Sequence, residues 1–198
     1  MIVDVTYNNM TFQESMVDCI RRVDAIIHEA EMGVMIDKYM YLQENGVVLE
    51  GDQAKTSIRN RIRSMVDSVV RAFRNFIESV KKKLIGRFNA IKAKRDQKKA
   101  AKIDKVAKKT AKTFDRVSDK FSDDMGEFYD VVDPDDNDFN EVAKNIEKRH
   151  HEYIDAVNNI VHNMMDTLDR IYDNQVYIDD ILDSISDESD KFDDLTKD

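Results

Sequence analysis

Apolar residues recur every three or four positions along most of the chain, the spacing that gathers them on one face of an α-helix. The first such stripe follows Thr11 and Glu14, which form a capping-box pattern because each side chain can satisfy an amide of the other residue. The stripe predicts a helix over residues 12–45 that ends at Asn45-Gly46. Its apolar positions are Phe12, Met16, Ile20, Val23, Ile27, Ala30 and Val34.

A second stripe begins after Asp52, a suitable N-cap residue, and lasts until Asp133-Pro134, where proline ends a helix. Between residues 92 and 102 its apolar positions thin to alanine, but the segment contains neither glycine nor proline. We therefore predict a helix over residues 52–132 that is either one rod of about 120 Å or kinked near residues 92–102.

A third stripe predicts a helix over residues 138–186, with His150 and Gln175 as polar seam residues that set the register of the pairing. Residues 1–11 form an N-terminal arm, in which Val3, Val5 and Tyr7 alternate, and residues 187–198 form an acidic tail that we expect to fray. The expected fold is all-α: an elongated antiparallel bundle or coiled coil of three long helices, with residues 12–186 as a single domain.

Composition supports this expectation and limits the cellular setting. Only 5 of the 198 residues are glycine and 1 is proline, too few for the turns of a sheet-based fold. Cys19 is the single cysteine, so an intramolecular disulfide is excluded. Neither a signal peptide nor a membrane-spanning segment is predicted. We expect a soluble protein that is not exported by the usual route.

The formal charge of −9 is distributed unevenly along the chain. Residues 1–52 contain 3 Lys/Arg and 10 Asp/Glu, residues 53–112 contain 20 and 4, and residues 113–198 contain 8 and 26. A basic centre between acidic ends indicates either internal pairing or a site for a polyanion. Folding about residues 48 and 135 would lay both acidic arms on the basic helix, with residues 92–112 opposite residues 159–179, so internal pairing is the simpler interpretation.

Candidate catalytic and metal motifs are weak. Glu147 and His150 have the spacing found in ferritin-like iron sites, but the motif occurs only once, and His151 is expected to face solvent. Residues 133–138 resemble the start of a calcium loop but lack the glycine and glutamate that an EF-hand requires. Since nucleophile elbows and glycine-rich phosphate loops are also absent from the sequence, we expect no enzyme activity, no cofactor and no metal site.

Two alternative roles remain open for the basic segment. Residues 53–112 could bind nucleic acid through phosphate contacts alone, with steep salt dependence and no sequence preference. A membrane-surface role for residues 58–91 is a further alternative, because cations there alternate with apolar residues. The residues assigned to polyanion binding are Lys94, Arg95, Lys98, Lys99, Lys102, Lys105 and Lys109.

Residues 41–50 (YLQENGVVLE), followed by the basic amphipathic segments 58–63, 73–77 and 81–85, resemble small helical proteins encoded by tailed phages of gut Firmicutes. The resemblance covers about 55 residues and implies a virion-associated or prohead-interior component present in many copies. It transfers no functional residue.

The leading functional hypothesis is therefore a non-enzymatic structural or assembly protein that presents long helices to protein partners. Those partners would be further copies of the chain or capsid and tail proteins. The protein would lie in the host cytoplasm during assembly and then in the virion. The alternative hypothesis is a nucleic-acid-binding protein in which an acidic arm acts as a displaceable internal competitor.

Overall fold

The structure, a computed structural model, describes residues 11–45, 52–95, 97–129, 139–172, 182 and 185–191. Those residues form four long helices: α1 (Phe12–Asn45), α2 (Asp52–Lys92), α3 (Gln97–Gly126) and α4 (Phe139–Tyr172). A 3₁₀ turn (Glu127–Tyr129) extends α3, and residues 185–191 are also helical. The described part of the chain contains no strand, which confirms the all-α prediction; the arm over residues 1–10 lies outside it.

The start of α1 follows the sequence prediction closely. The amide of Thr11 donates to Glu14 Oε2 at 2.7 Å, and the amide of Glu14 donates to Thr11 Oγ1 at 3.2 Å. Hydrogen bonds from the Thr11 side chain and from its amide lower the pKa of the Glu14 carboxyl, because they favour its charged form. The predicted capping box is therefore present.

The second predicted helix is divided in two. α2 ends at Lys92, a turn follows over residues 93–95, and α3 begins at Gln97. The amides of Lys94 and Arg95 bond to carbonyls three residues back, at 3.1 Å each, which tightens the end of α2. A continuous or merely kinked helix over residues 52–132 is thus wrong: Lys92 bonds Asp104 at 2.6 Å, so the chain reverses at the turn.

The physical reason for the reversal is tertiary packing. In an unbroken rod, other segments of the chain would have to cover the whole apolar stripe. In a hairpin, one half of the stripe packs against the other half and both are buried. Among the described residues, burial confirms the apolar stripe over most of its length. Its buried members are Ile62, Met65, Val69, Phe73, Phe76, Val80, Leu84, Phe88, Ile91, Ile103, Thr110, Phe114, Val117, Phe121 and Met125.

The chain divides into two compact units, where the sequence analysis treats residues 12–186 as one domain. Unit 1 comprises Met1–Met16, Arg74–Lys120 and Ile154–Asp198. In it α2 and α3 are antiparallel, since Lys81 pairs with Asp115 and Lys92 with Asp104. Burial disfavours the charged form of Lys81, but hydrogen bonds and charge attraction to Asp115 and Glu78 together outweigh it and raise the pKa of Lys81.

Unit 2 comprises Val17–Phe73 and Phe121–Tyr153, and segments of all four helices contribute to it. Its centre is aromatic: the Phe73 and Phe121 rings stack with centroids 4.0 Å apart, and Tyr153 meets Phe121 edge-on at 5.1 Å. The Arg61 guanidinium of α2 fills the space beside Gly33 of α1 where a Cβ would stand.

Candidate anion-binding site

Lysines of α3 line one side of that helix in unit 1. Residues 102, 105, 109 and 112 are separated by three or four positions, so they share one face of α3. The opposite face is apolar and buried, with Ile103, Ala107 and Phe114 among its members. Burial of that face therefore directs the lysine ammonium groups away from the core.

These lysines line a cavity of about 570 Å³ in unit 1. Such a volume is in the range of small-ligand sites, though this lining carries an unusual concentration of positive charge. Val106 and Leu182 add apolar surface, so a ligand would meet both cations and hydrocarbon there. The lining residues are Lys102, Lys105, Val106, Lys108, Lys109, Lys112, Leu182 and Ser186.

Residues 185–191 dock on α3 beside the cavity. The hydroxyls of Thr110 and Ser189 are 3.1 Å apart, and both residues are buried. Lys109 Nζ donates to Ser186 Oγ at 2.8 Å and pairs with Asp190 Oδ1 at 2.7 Å. The expected fraying tail after residue 186 is therefore a packed helix as far as residue 191; residues 192–198 lie outside the described part.

The predicted register of the acidic arm is also wrong at this point. Folding about residue 135 would place residue 161 opposite Lys109, but Ser186 and Asp190 contact it instead. The periodicity of α4 predicts which face is buried but cannot specify how the chain beyond it returns to α3. Likewise, Arg87 pairs with Asp169 at 3.6 Å rather than with residues near the chain end.

Asp190 thus balances the charge of Lys109, whereas three other lysines of the cavity have no such partner among the described residues. Among the described residues, no carboxylate pairs with Lys105, Lys108 or Lys112. All three are exposed. Like charges held along one helix face repel one another, so an anion that enters the cavity relieves this repulsion.

The structure brings together only some of the residues predicted to bind a polyanion. Lys102, Lys105 and Lys109 line the cavity. Lys94 and Arg95 lie in the turn between α2 and α3, Lys99 is exposed near the start of α3, and the Lys98 side chain lies outside the described residues.

Five lining residues are not among those predicted from the sequence, and the apolar Val106 is one of them. Lys108 and Lys112 were within the basic run but were not assigned to the site, although Lys112 has the same three-residue spacing from Lys109 as Lys105 has from Lys102. The local sequence around Leu182 and Ser186 does not predict that they line a cavity, because their place in the lining depends on the docking of a distant segment.

The proposed seam residue His150 is fully buried in unit 2. Its Nε2 lies 3.6 Å from Cys19 Sγ, and its ring meets Phe73 and Phe121 edge-on. Burial, with a smaller contribution from His151, lowers the pKa of His150 to about 3, so the ring is neutral at physiological pH. Its role in setting the register stays a prediction, and Gln175 lies outside the described residues.

Within the part of the chain that the structure describes, no helix has a stretch long and apolar enough to cross a bilayer. No known protein family, curated protein or solved structure matches the chain. Function must therefore be argued from the geometry itself.

Proposed function

We propose that the chain binds the phosphate backbone of a nucleic acid through the lysine cavity on α3. The observation that carries this proposal is the convergence of five lysines on one cavity of about 570 Å³. Lysine is a mobile point charge with three donors, which suits phosphate oxygens in a flexible or irregular arrangement.

The extent of the lysine face fits a chain of phosphates better than a single ion. Residues 102–112 span about 15 Å along α3, at 1.5 Å of rise per residue. Among the described residues the cavity lining contains no aromatic side chain, so base stacking contributes nothing to recognition there. Binding is therefore expected to depend on charge and to show no sequence preference.

Asp190 gives this binding a built-in competitor. Its carboxylate pairs with Lys109, which is half-buried, as a phosphate oxygen would. A polyanion that displaces the carboxylate gains Lys109 as an additional contact. Loss of the Asp190 charge should therefore tighten nucleic-acid binding.

The test compares two triple variants that remove equal charge. Lys105→Gln, Lys108→Gln and Lys112→Gln change the cavity, whereas Lys82→Gln, Lys144→Gln and Lys148→Gln change exposed lysines elsewhere. Fluorescence anisotropy with a labelled DNA duplex over a range of salt concentrations measures both affinity and its salt dependence.

The cavity variant should bind more weakly, with a log–log salt slope shallower by about 0.9 for each phosphate contact removed. Asp190→Asn should bind more tightly than the unsubstituted chain. If both triple variants weaken binding equally, the site is not the cavity. Absence of DNA binding by the unsubstituted chain at low salt would refute the proposed function.

A second candidate is the structural or assembly role, with further copies of the chain or a capsid protein as partner. The observation in its favour is an exposed apolar face on α1, where Met32, Met35 and Ile36 are 43%, 57% and 51% exposed. Sedimentation velocity tests it: self-association that Met35→Lys abolishes supports this role. The phage origin implied by the sequence resemblance stays a prediction.

A further inference from the structure

Unit 2 brings three metal-ligating side chains together at the edge of the contact between α1 and α4. Asp24 comes from α1, whereas Glu147 and His151 lie one turn apart on α4. One ligand atom from each residue lies within 4.8 Å of the other two. That spacing is close enough for small side-chain rotations to place all three ligand atoms around one ion.

Helix packing explains why these residues meet. Cys19 and His150 are in contact in the core, where α1 and α4 run antiparallel. From Cys19, the next turns of α1 towards its C-terminus lead to Asp24. From His150, the preceding turn of α4 leads to Glu147. Neighbouring Val23 is buried, which leaves Asp24 at the margin of the contact, where it is exposed.

A hydrogen bond to the backbone holds the imidazole of His151. Its Nδ1 lies 2.9 Å from the backbone carbonyl of Glu147. Because a carbonyl can only accept, Nδ1 must carry the proton, which leaves the lone pair of Nε2 available. Metal-binding histidines use this same device, in which one ring nitrogen is held by a carbonyl and the other binds the ion.

The two carboxylates have no compensating cation among the described residues. In the part of the chain that the structure describes, neither Asp24 nor Glu147 forms an ion pair. Holding two negative charges near each other is unfavourable, and a divalent cation would neutralise both. His162 and Asp166 have the same four-residue spacing on α4, but no described residue of another helix adds a third ligand to them.

We propose that Asp24, Glu147 and His151 bind a divalent first-row transition-metal ion that links α1 to α4. One imidazole nitrogen and two carboxylate oxygens are a ligand set suited to Zn²⁺, whereas Mg²⁺ and Ca²⁺ prefer oxygen alone. Three protein ligands leave a coordination position open to water on the exposed Asp24 side. This inference is independent of nucleic-acid binding, which involves unit 1.

The first test is isothermal titration of the metal-free full chain with Zn²⁺ at pH 7.5. One equivalent should bind, and the midpoint of thermal unfolding should rise, because the ion binds the folded chain preferentially. Asp24→Asn and His151→Gln should each weaken binding by about tenfold or more. The matched control His162→Gln should bind as the unsubstituted chain does.

The second test needs no variant and therefore does not depend on the folding of one. Long-range ¹H–¹⁵N NMR spectra report the tautomer and metal ligation of each of the four histidines. Zn²⁺ should perturb Nε2 of His151 and leave its Nδ1 protonated. The proposal is overturned if no saturable binding occurs, if Asp24→Asn binds normally, or if His162 rather than His151 responds.

Discussion

The buried imidazole of His150 makes folding stability depend on pH. Its ring lies against Cys19, Phe73 and Phe121 and is 0% exposed. Nε2 faces the Cys19 thiol, and no described group bonds to Nδ1. A proton added to this ring would therefore place an unpaired charge in an aromatic core, which is why the pKa falls to about 3.

Proton linkage determines whether folding stability rises or falls with pH. The unfolded chain has an ordinary histidine pKa of 6.5 and takes up the proton as the pH falls through that value, whereas the folded chain does so only near pH 3. Stability due to the neutral ring is present above pH 6.5 and is lost progressively below it. Between pH 7.5 and 5.0 the loss for this one group is about 2 kcal/mol.

Urea unfolding followed by circular dichroism at the two pH values measures this loss. A chelator is present throughout, so that no metal ion contributes. Other groups also titrate over this range, so the measured quantity is the pH-dependent change for the unsubstituted chain minus that for His150→Leu. This difference should be about 2 kcal/mol, whereas His162→Leu, which removes a mostly exposed ring, should leave the pH dependence unchanged. Equal pH dependence in the unsubstituted chain and His150→Leu would refute the reasoning.

Two further predictions concern the core and the start of α1. In a double-mutant cycle with Phe73→Leu and Phe121→Leu, the unfolding free energies should show a coupling of about 0.5–1.5 kcal/mol, because the two rings stack; strict additivity would contradict the stacking. Thr11→Ala should cost about 1 kcal/mol of unfolding free energy, since it removes the hydroxyl that accepts from the Glu14 amide. Thr11→Ser keeps that hydroxyl and should restore most of the loss, and equal stability of the two variants would count against the cap.

The sequence predicts features that are decided locally. The capping box at Thr11 depends on two residues three positions apart, and the stripe through Phe73 and Phe121 depends only on periodic burial. Each is specified by the chain within a few turns of helix. The all-α fold class and most of the buried positions can therefore be predicted without any knowledge of tertiary contacts.

The turn at residues 93–95 illustrates what local information cannot decide. Nothing between Lys92 and Gln97 disfavours a helix strongly, so the break reflects the energy of packing α2 on α3 rather than a local stop signal. Asp24 is a second example. It becomes a candidate ligand only through the pairing of α1 with α4, which no spacing within either helix reveals.

The hairpin also changes how the uneven charge must be interpreted. The sequence favoured neutralisation of the basic helix by distant acidic arms. In unit 1, however, Asp104 and Asp115 on α3 already pair with Lys92 and Lys81 on α2. Two acids of the hairpin are therefore used where its two helices meet.

The outward lysines of α3 then depend on charge from outside the hairpin. Asp190 supplies a negative charge for Lys109, whereas Lys105 and Lys112 have no carboxylate partner among the described residues. Because each surface pair contributes only about 0–1 kcal/mol, the docked acidic segment is a weak competitor. A polyanion that engages several of these lysines at once, with release of its counterions, would therefore prevail over Asp190 at low salt and lose that advantage as salt rises.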